Sequence, residues 1–343
     1  MMGMQARRWF APWWGLGMMA FISFGALAQA ATDAPLDRVE VRNWLLRIHE
    51  AAQRRNFQGT FVVSAGGQVA SSRIAHFCDG ANQFERIESL DGQMRRVYRH
   101  NDLVATLWPG PRVAVVEHRE TLSTFPALLH TDGDRLSDHY EVHRQGSERV
   151  AGHEAEVLLV RPRDHYRYGY RLWSEKQSGL LLRAEVLGRG TEVLESSAFS
   201  DVAIGVKSQP ETVVQPMKRL EGYRVDRPTL SKTDYEQEGW VYKQKVAGFR
   251  HVNCVKRALG ASAASAPGGP PPQLLQTIFS DGLAHVSIFV EPYDAGRHGT
   301  ETLMSMGATQ TLTRRHGDWW VTAVGEVPPA TLRMFVQGLE RKK

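Results

Sequence analysis

The sequence predicts a mainly β chain in two parts: an N-terminal antiparallel sheet wide enough that it must curl or be covered, with one or two helices, and a smaller C-terminal α+β domain. Three patterns predict it. In Tyr168–Trp173 the residue types alternate, with Tyr168, Tyr170 and Leu172 on one face of a strand and Arg171 and Trp173 on the other, which is the period of a half-buried strand. Polar Ser174–Ser178 and Gly179 then turn the chain into apolar Leu180–Leu187, and Gly188-Arg189-Gly190 turns it again into Thr191–Phe199, giving a meander. Short alternating runs also fill the chain upstream from Phe57, and they resume downstream of a proline-bearing break at 205–228.

At the N-terminus, Arg7 and Arg8 precede a largely apolar run from Trp9 to Ala28, and Ala28-Gln29-Ala30 is a small-x-small cleavage site. This is the pattern of a secretory signal over residues 1–30. The run is long enough in principle to span a bilayer, but Pro12 and several glycines interrupt it. Removing it takes away two arginines and no acids, so Lys+Arg falls from 42 to 40 against 37 Asp+Glu. A mature charge of about +3, evenly mixed, gives no footprint for nucleic acid. The remaining ~310 residues are enough for one large core or, more usually at this length, two.

Asp37-Arg38-Val39-Glu40 reads as a capping box. Val41, Trp44, Leu45, Ile48 and Ala52 recur behind it at helical spacing, predicting an amphipathic helix of about 18 residues. Within it His49-Glu50-Ala51-Ala52-Gln53 misses the zincin pattern at its last residue, so a zinc site would lack its second imidazole. Strands are expected at Gly59–Ser64, Arg73–Cys78, Phe84–Leu90, Gln93–Arg99, Leu103–Leu107 and Arg112–His118, with Asp91-Gly92 as a tight hairpin turn. Tyr140–Arg144 and Glu154–Val160 add two more ahead of the meander. A sheet of about nine to eleven strands must curl or be covered, and its concave side is then an apolar groove.

Residues 205–228 lose the alternation and carry Pro210, Pro216 and Pro228, and so read as a linker between a domain at 31–204 and one at 229–343. The second domain has strand patterns at Gly239–Lys243, Phe249–Val255, Thr277–Phe279, Ala284–Val290, Gln310–Arg314 and Trp319–Val324. Pro328-Pro329 opens a helix lined by Leu332, Phe335, Val336 and Leu339. Residues 258–273, with Ala/Ser repeats and Pro-Gly-Gly-Pro-Pro-Pro, read as a flexible excursion. Cys78 and Cys254 lie in different halves and read as two separate buried thiols. His139, Glu141 and His143 would share a strand face, as a metal clip or as a solvent face behind Tyr140 and Val142. No nucleophile elbow, phosphate loop, dinucleotide fingerprint or paired-carboxylate motif stands out. The chain is therefore expected to be no enzyme, with no catalytic residue, metal or cofactor.

Arg161–Trp173 (RPRDHYRYGYRLW), then Gly179–Arg183, Phe279–Ser287 (FSDGLAHVS) with Val290-Glu291-Pro292, and Trp319–Pro329 (WWVTAVGEVPP) come in the order seen in the MucB/RseB family. With a weaker start near Phe57-Gln58-Gly59-Thr60, they span nearly the whole mature chain, and together the sequence resembles that family of bacterial sigma-factor regulators. The resemblance implies a periplasmic protein of a Gram-negative envelope, with an N-terminal domain like the unclosed barrel of lipoprotein carriers, a curved antiparallel sheet lidded by helices. It implies binding to the periplasmic segment of a single-pass inner-membrane anti-sigma factor, which shields that segment from proteolysis. Release would follow from a lipopolysaccharide-like, lipid A-like or lipoprotein amphiphile, with homo-oligomers possible.

On that picture Phe61, Val63, Met94, Leu107 and Trp108 are the groove candidates. Phe279, Ser280, Asp281 and Gly282 at a hairpin tip, with Trp319 and Trp320, are the partner-binding candidates. The alternative function is a periplasmic lipid or lipoprotein carrier, for which the second domain would be surplus. Intact-mass measurement on exported protein is expected to find residues 1–30 missing. A mass that includes them would make the apolar run an anchor.

Overall fold

The computed structural model describes residues 34–119, 135–258 and 273–342, so the expected signal segment and nearly all of the 258–273 excursion lie outside the described residues. Four helices are seen among those described: α1 (Arg38–Arg54), α2 (Leu136–His139), α3 (Glu211–Lys218) and α4 (Pro329–Gly338). The first eleven strands are β1 (Phe57–Ala65), β2 (Gln68–Asp79), β3 (Asn82–Ser89), β4 (Arg96–His100), β5 (Leu103–Trp108), β6 (Val113–His118), β7 (Tyr140–Val150), β8 (His153–Pro162), β9 (Gly169–Glu175), β10 (Leu181–Leu187) and β11 (Val193–Ile204). With β12 (Arg224–Asp226) they form one sheet in the order β12-β6-β5-β4-β3-β2-β1-β11-β10-β9-β8-β7. Two meanders, β1–β6 and β7–β11, join where β1 pairs antiparallel with β11. The sheet does not close on itself, because β12 and β7 are its free edges.

The capping box forms as expected: Glu40 N–H donates to Asp37 Oδ1 at 2.8 Å, and Asp37 N–H donates to Glu40 Oε2 at 3.1 Å. Val41, Trp44, Leu45, Ile48, Ala51 and Ala52 form the buried stripe of α1. It packs in one core with Phe57 and Ile74 of the sheet and with Tyr170 and Val186 of the second meander. Each large apolar side chain buried this way contributes ~1.5–3 kcal/mol. On the opposite face, Ala75, Phe77, Phe84, Tyr98, Ala105, Leu107 and Ala114 pack against Val213 of α3. Ile74 and Ala75, adjacent in β2, point to opposite faces and so belong to different cores.

Residues 205–228, expected as a bare connection, therefore hold α3 and β12, and both build the N-terminal domain. Pro210 is the N-cap of the helix and Pro216 lies inside it. These prolines read as a linker signal, but Val213, Val214, Met217 and Leu220 already carry the helical spacing that covers the sheet. Asp91-Gly92 does not make a two-residue turn either. β3 ends at Ser89 and β4 begins at Arg96, and the Asp91 carboxylate accepts the Ser71 N–H of the neighbouring strand.

The C-terminal part holds β13 (Leu230–Lys232), β14 (Trp240–Tyr242), β15 (Arg250–Ala258), β16 (Gln273–Ser280), β17 (His285–Pro292), β18 (Thr302–Met306), β19 (Thr309–His316), β20 (Trp319–Gly325) and β21 (Leu339–Arg341). Seven of them form a sheet in the order β13-β15-β16-β17-β20-β19-β18, and β14 pairs with β21. Helix α4 buries Leu332, Phe335 and Val336 against this sheet's core. Edge strand β18 is an addition to the sequence reading. It is short and mostly exposed, so no apolar period marks it.

The two parts share a core, because Leu283 and Ala308 of the second domain are buried among the residues that pack under α1. The β18–β19 turn reaches the β1–β2 hairpin. A Cβ on Gly307 would lie 2.8 Å from Ala65 Cβ and 3.0 Å from the Leu194 carbonyl oxygen, and Gly307 has φ +60°. Both constraints exclude a side chain. Gly307→Val is expected to lower stability by about 2 kcal/mol or more, read as a lower urea midpoint. An unchanged midpoint would mean the close approach is not maintained in solution.

Candidate functional site

The signature Arg161–Trp173 spans the end of β8, a loop and β9, and the loop is built to deliver one side chain. Asp164 Oδ1 accepts the Tyr166 N–H at 2.9 Å, a local Asx turn. The same oxygen accepts from Arg167 Nε at 3.1 Å. The Arg167 side chain is fully buried, with its Nη1 3.1 Å from Asp281 Oδ2, and the Asp281 side chain is fully buried as well. Its Nη2 donates to the Ala247 carbonyl. The guanidinium also lies 5.6 Å from the Tyr140 ring centre and 5.2 Å from that of Phe249.

Asp281 is satisfied on every side. Tyr140 Oη donates to its Oδ2 at 2.9 Å, and the N–H groups of Leu283 and Ala284 donate to Oδ1 at 3.0 and 2.8 Å. Burial, and then the Asp281 charge, raise the Tyr140 hydroxyl well above its ordinary value, so it stays a donor. Burial, and then the Arg167 charge, lower the pKa of His139, which favours the neutral imidazole beside the guanidinium. Gly248, at φ +84°, leaves the space both need, since a Cβ there would sit 2.7 Å from His139 Nε2 and 2.8 Å from Arg167. Thr331 Oγ1 adds a bond to the Tyr166 carbonyl at 2.9 Å. The site is a polar joint between the two domains.

The hairpin expected to present itself to a partner is therefore turned inward. Phe279 is in the second core, 4.8 Å from the Tyr242 ring and 5.3 Å from Phe335. Ser280 and Asp281 are buried, and Gly282 takes φ +106° so that the tip can turn against the first domain. Trp320 is buried and stacked on His298 at 4.9 Å, while half-buried Trp319 packs on Trp240 at 5.6 Å and under Arg341. Phe279, Ser280, Asp281 and Trp320 thus serve the fold rather than offer an exposed surface. A tight Asp-Gly turn has the same sequence whether its tip meets water or another domain.

The groove candidates separate by strand parity. Phe61 and Val63 of β1 and Trp108 of β5 lie on the face that carries Ile74 and α1, and Trp108 is half-buried. Leu107 points the other way, beneath α3, at 4% exposure, and Met94 is exposed in the 90–95 loop. Ile87, Val97, Val113 and Val115 share Trp108's face and are half-buried. These four were missed, although extending the alternation from Trp108 through the strand register would have found them.

His139 stands beside Arg167, while Glu141 takes Arg163 at 2.6 Å and lies 3.6 Å from His143, so the three do not converge. No metal-holding cluster occurs among the described residues. At the near-zincin turn, Gln53 Nε2 lies 2.8 Å from His49 Nε2, where a second imidazole would be needed. Both cysteines are free, and burial raises the Cys254 thiol to about 11.

Residues 40–217 match the model of the MucB/RseB N-terminal domain, and residues 234–340 match that of the MucB/RseB C-terminal domain. The chain belongs to the MucB/RseB family. Its relatives include the sigma factor AlgU regulatory protein MucB of Pseudomonas aeruginosa, 30% identical over 312 residues, covering 89% of this chain and 91% of that protein. The sigma-E factor regulatory protein RseB of Escherichia coli K12 is 25% identical over 335 residues and 97% of each chain. Among solved structures, MucB in complex with MucA(peri) matches at TM-score 0.63 and 24% identity, over 88% of this chain and 99% of that one. The Pseudomonas aeruginosa MucA/MucB complex matches at TM-score 0.65 and 24% identity, over 89% and 99%. The fold of this MucB/RseB member is thus that of the two-domain family, and these relatives are named as regulatory proteins.

Arg167→Met or Asp281→Leu leaves one buried charge without its partner and is expected to cost ~3–5 kcal/mol. The double variant is expected to cost less than the sum of the two. Urea unfolding of all four proteins measures the coupling, and additivity would show that the pair does not interact.

Proposed function

We propose that this MucB/RseB protein is a periplasmic negative regulator of an envelope-stress sigma factor. It binds the periplasmic segment of a single-pass inner-membrane anti-sigma factor, shields it from proteolysis, and lets go when a lipidic amphiphile occupies the N-terminal sheet. The observation that carries this reading is the second domain. It is joined to the first by a shared core and the Arg167–Asp281–Tyr140 joint, and both domains match the family in order. That relatives are named sigma-factor regulators and that MucB has been solved with MucA(peri) support the same reading.

Physically the function needs two coupled sites and no covalent chemistry. A mobile peptide is held across a two-domain surface, and a second ligand changes that surface. Trp108, Phe61, Val97 and Val115, on the face opposite α3, are the side chains that would meet an acyl chain. A lipid or lipoprotein carrier would use the same face. A carrier, however, gives no reason for a second domain fixed to the first by a buried ion pair.

Calorimetry on the mature full-length chain, with a synthetic periplasmic segment of the anti-sigma factor, tests the reading. Binding is expected, and a lipid A-type amphiphile is expected to weaken it. Trp108→Ala is expected to reduce the amphiphile's effect about tenfold while leaving peptide affinity unchanged. Amphiphile binding without any peptide binding would favour the carrier.

A further inference from the structure

Helix α4 covers the inner face of the second sheet only in part. Leu312 of β19 packs on the core that α4 completes. Arg314 and His316, two and four residues further along the same strand, point to that side as well. They stand in register with Val321 and Trp319 of β20. Here the helix ends at Gly338 and the chain turns into β21. A cavity of about 460 Å³ opens at this point, lined by Arg314, His316, Val336, Gln337, Glu340 and Arg341.

The lining is cationic. Glu340 is its one acid, and Lys243 Nζ neutralises it at 2.5 Å. Lys243 also answers the negative end of α4, because its N–H donates to the Gly338 carbonyl at 3.0 Å. Glu238, whose backbone carbonyl accepts from Arg341, has its carboxylate paired with Lys256 at 3.0 Å. Two guanidinium groups and an imidazole therefore line the cavity without a carboxylate of their own.

The two arginines differ in how they are held. The Arg341 guanidinium carbon lies 5.2 Å from the Trp240 ring centre and 5.0 Å from that of Trp319. Its Nη1 donates to the Glu238 carbonyl, so the group is fixed on three sides. An arginine stacked in this way has already given up rotamer freedom that binding an anion would otherwise cost. The His316 ring centre is 5.9 Å from that of Trp240, within the same cluster. Arg314 is exposed and, among the described residues, has neither an ion pair nor a side-chain hydrogen bond.

We propose that this cavity binds a phosphate group, with Arg341 as the fixed donor, Arg314 as the free one and His316 as a third. A phosphate has oxygens enough for two guanidinium forks and an imidazole, whereas a carboxylate has two. The volume exceeds the need of a phosphate alone and leaves room for the group it is esterified to, with Val336 as an apolar wall. A phospholipid headgroup and a soluble phosphate share this chemistry, and the experiment separates them. The site lies in the second domain and does not depend on the anti-sigma reading or on the Trp108 face of the first sheet.

Calorimetry of the full-length chain at constant ionic strength tests the site, with inorganic phosphate and glycerol 3-phosphate as probes and chloride as the balancing anion. Saturable binding is expected. Arg314→Gln, which removes no contact within the protein, is expected to weaken it about tenfold. Arg333→Gln, at an exposed arginine of α4 outside the cavity, is expected to leave it unchanged. Flotation with vesicles of phosphatidylglycerol in phosphatidylcholine, against phosphatidylcholine alone, identifies the source. Arg314-dependent binding to the anionic vesicles assigns a lipid headgroup, and phosphate binding without vesicle binding assigns a soluble phosphate. Failure of both soluble probes to bind saturably overturns the site, as does unchanged affinity in Arg314→Gln. Equal weakening by the two variants also overturns it, by assigning the effect to the diffuse charge of the domain.

Discussion

A guanidinium and a carboxylate taken wholly out of water must face each other, and the Arg167–Asp281 pair does so while drawing its other partners from both domains. Asp164 and Ala247 accept from Nε and Nη2 of the arginine, and its Nη1 lies 3.1 Å from Asp281 Oδ2 as an ion pair without a hydrogen bond. Tyr140 and two backbone N–H groups fill the aspartate. Because an isolated buried charge is so unfavourable, the two domains cannot separate without rehydrating both ions. The position of the 281–283 turn, the inward path of Leu283 and the absence of a side chain at Gly248 are all consequences of keeping this pair together.

Around that joint the seam is heterogeneous. Leu283 and Ala308 bury apolar surface in the first core, and Gly307 allows backbone to approach backbone. The sheet face bearing Trp108 belongs to the same body, through the continuous run of strands from β5 to β11. A ligand there could be felt at the seam through rigid, hydrogen-bonded elements.

The second domain's aromatic cluster explains why its most eye-catching residues are structural. Phe279, Tyr235, Tyr242, Phe249 and Phe335 pack edge-to-face or tilted in one core. Trp319 and Trp320, on opposite faces of β20, are each covered from their own side, by Trp240 and by His298. Adjacent tryptophans on a strand do not require one of them to be a binding residue when both sides of the sheet carry partners.

Local order was legible in the sequence. The period-2 runs located all eleven strands β1–β11, but β2 starts five residues earlier than expected and β7 and β11 run six and five residues further; alternation is imposed by the pleat on each strand alone, and their ends are not. Asp37 and Glu40 announced the start of α1 for the same reason, since a capping box is complete within four residues. The ordered blocks of family residues indicated two domains and a regulator. What the sequence could not hold was the meeting of distant positions. Tyr140 and Asp281 are 141 positions apart, and nothing local distinguishes an Asp-Gly turn that faces water from one that closes on a buried arginine. Leu107 and Trp108 are neighbours with equal apolar weight, and only the register of β5 and the placing of α3 send one under a helix and the other to the opposite face. Those meetings are properties of the tertiary structure alone.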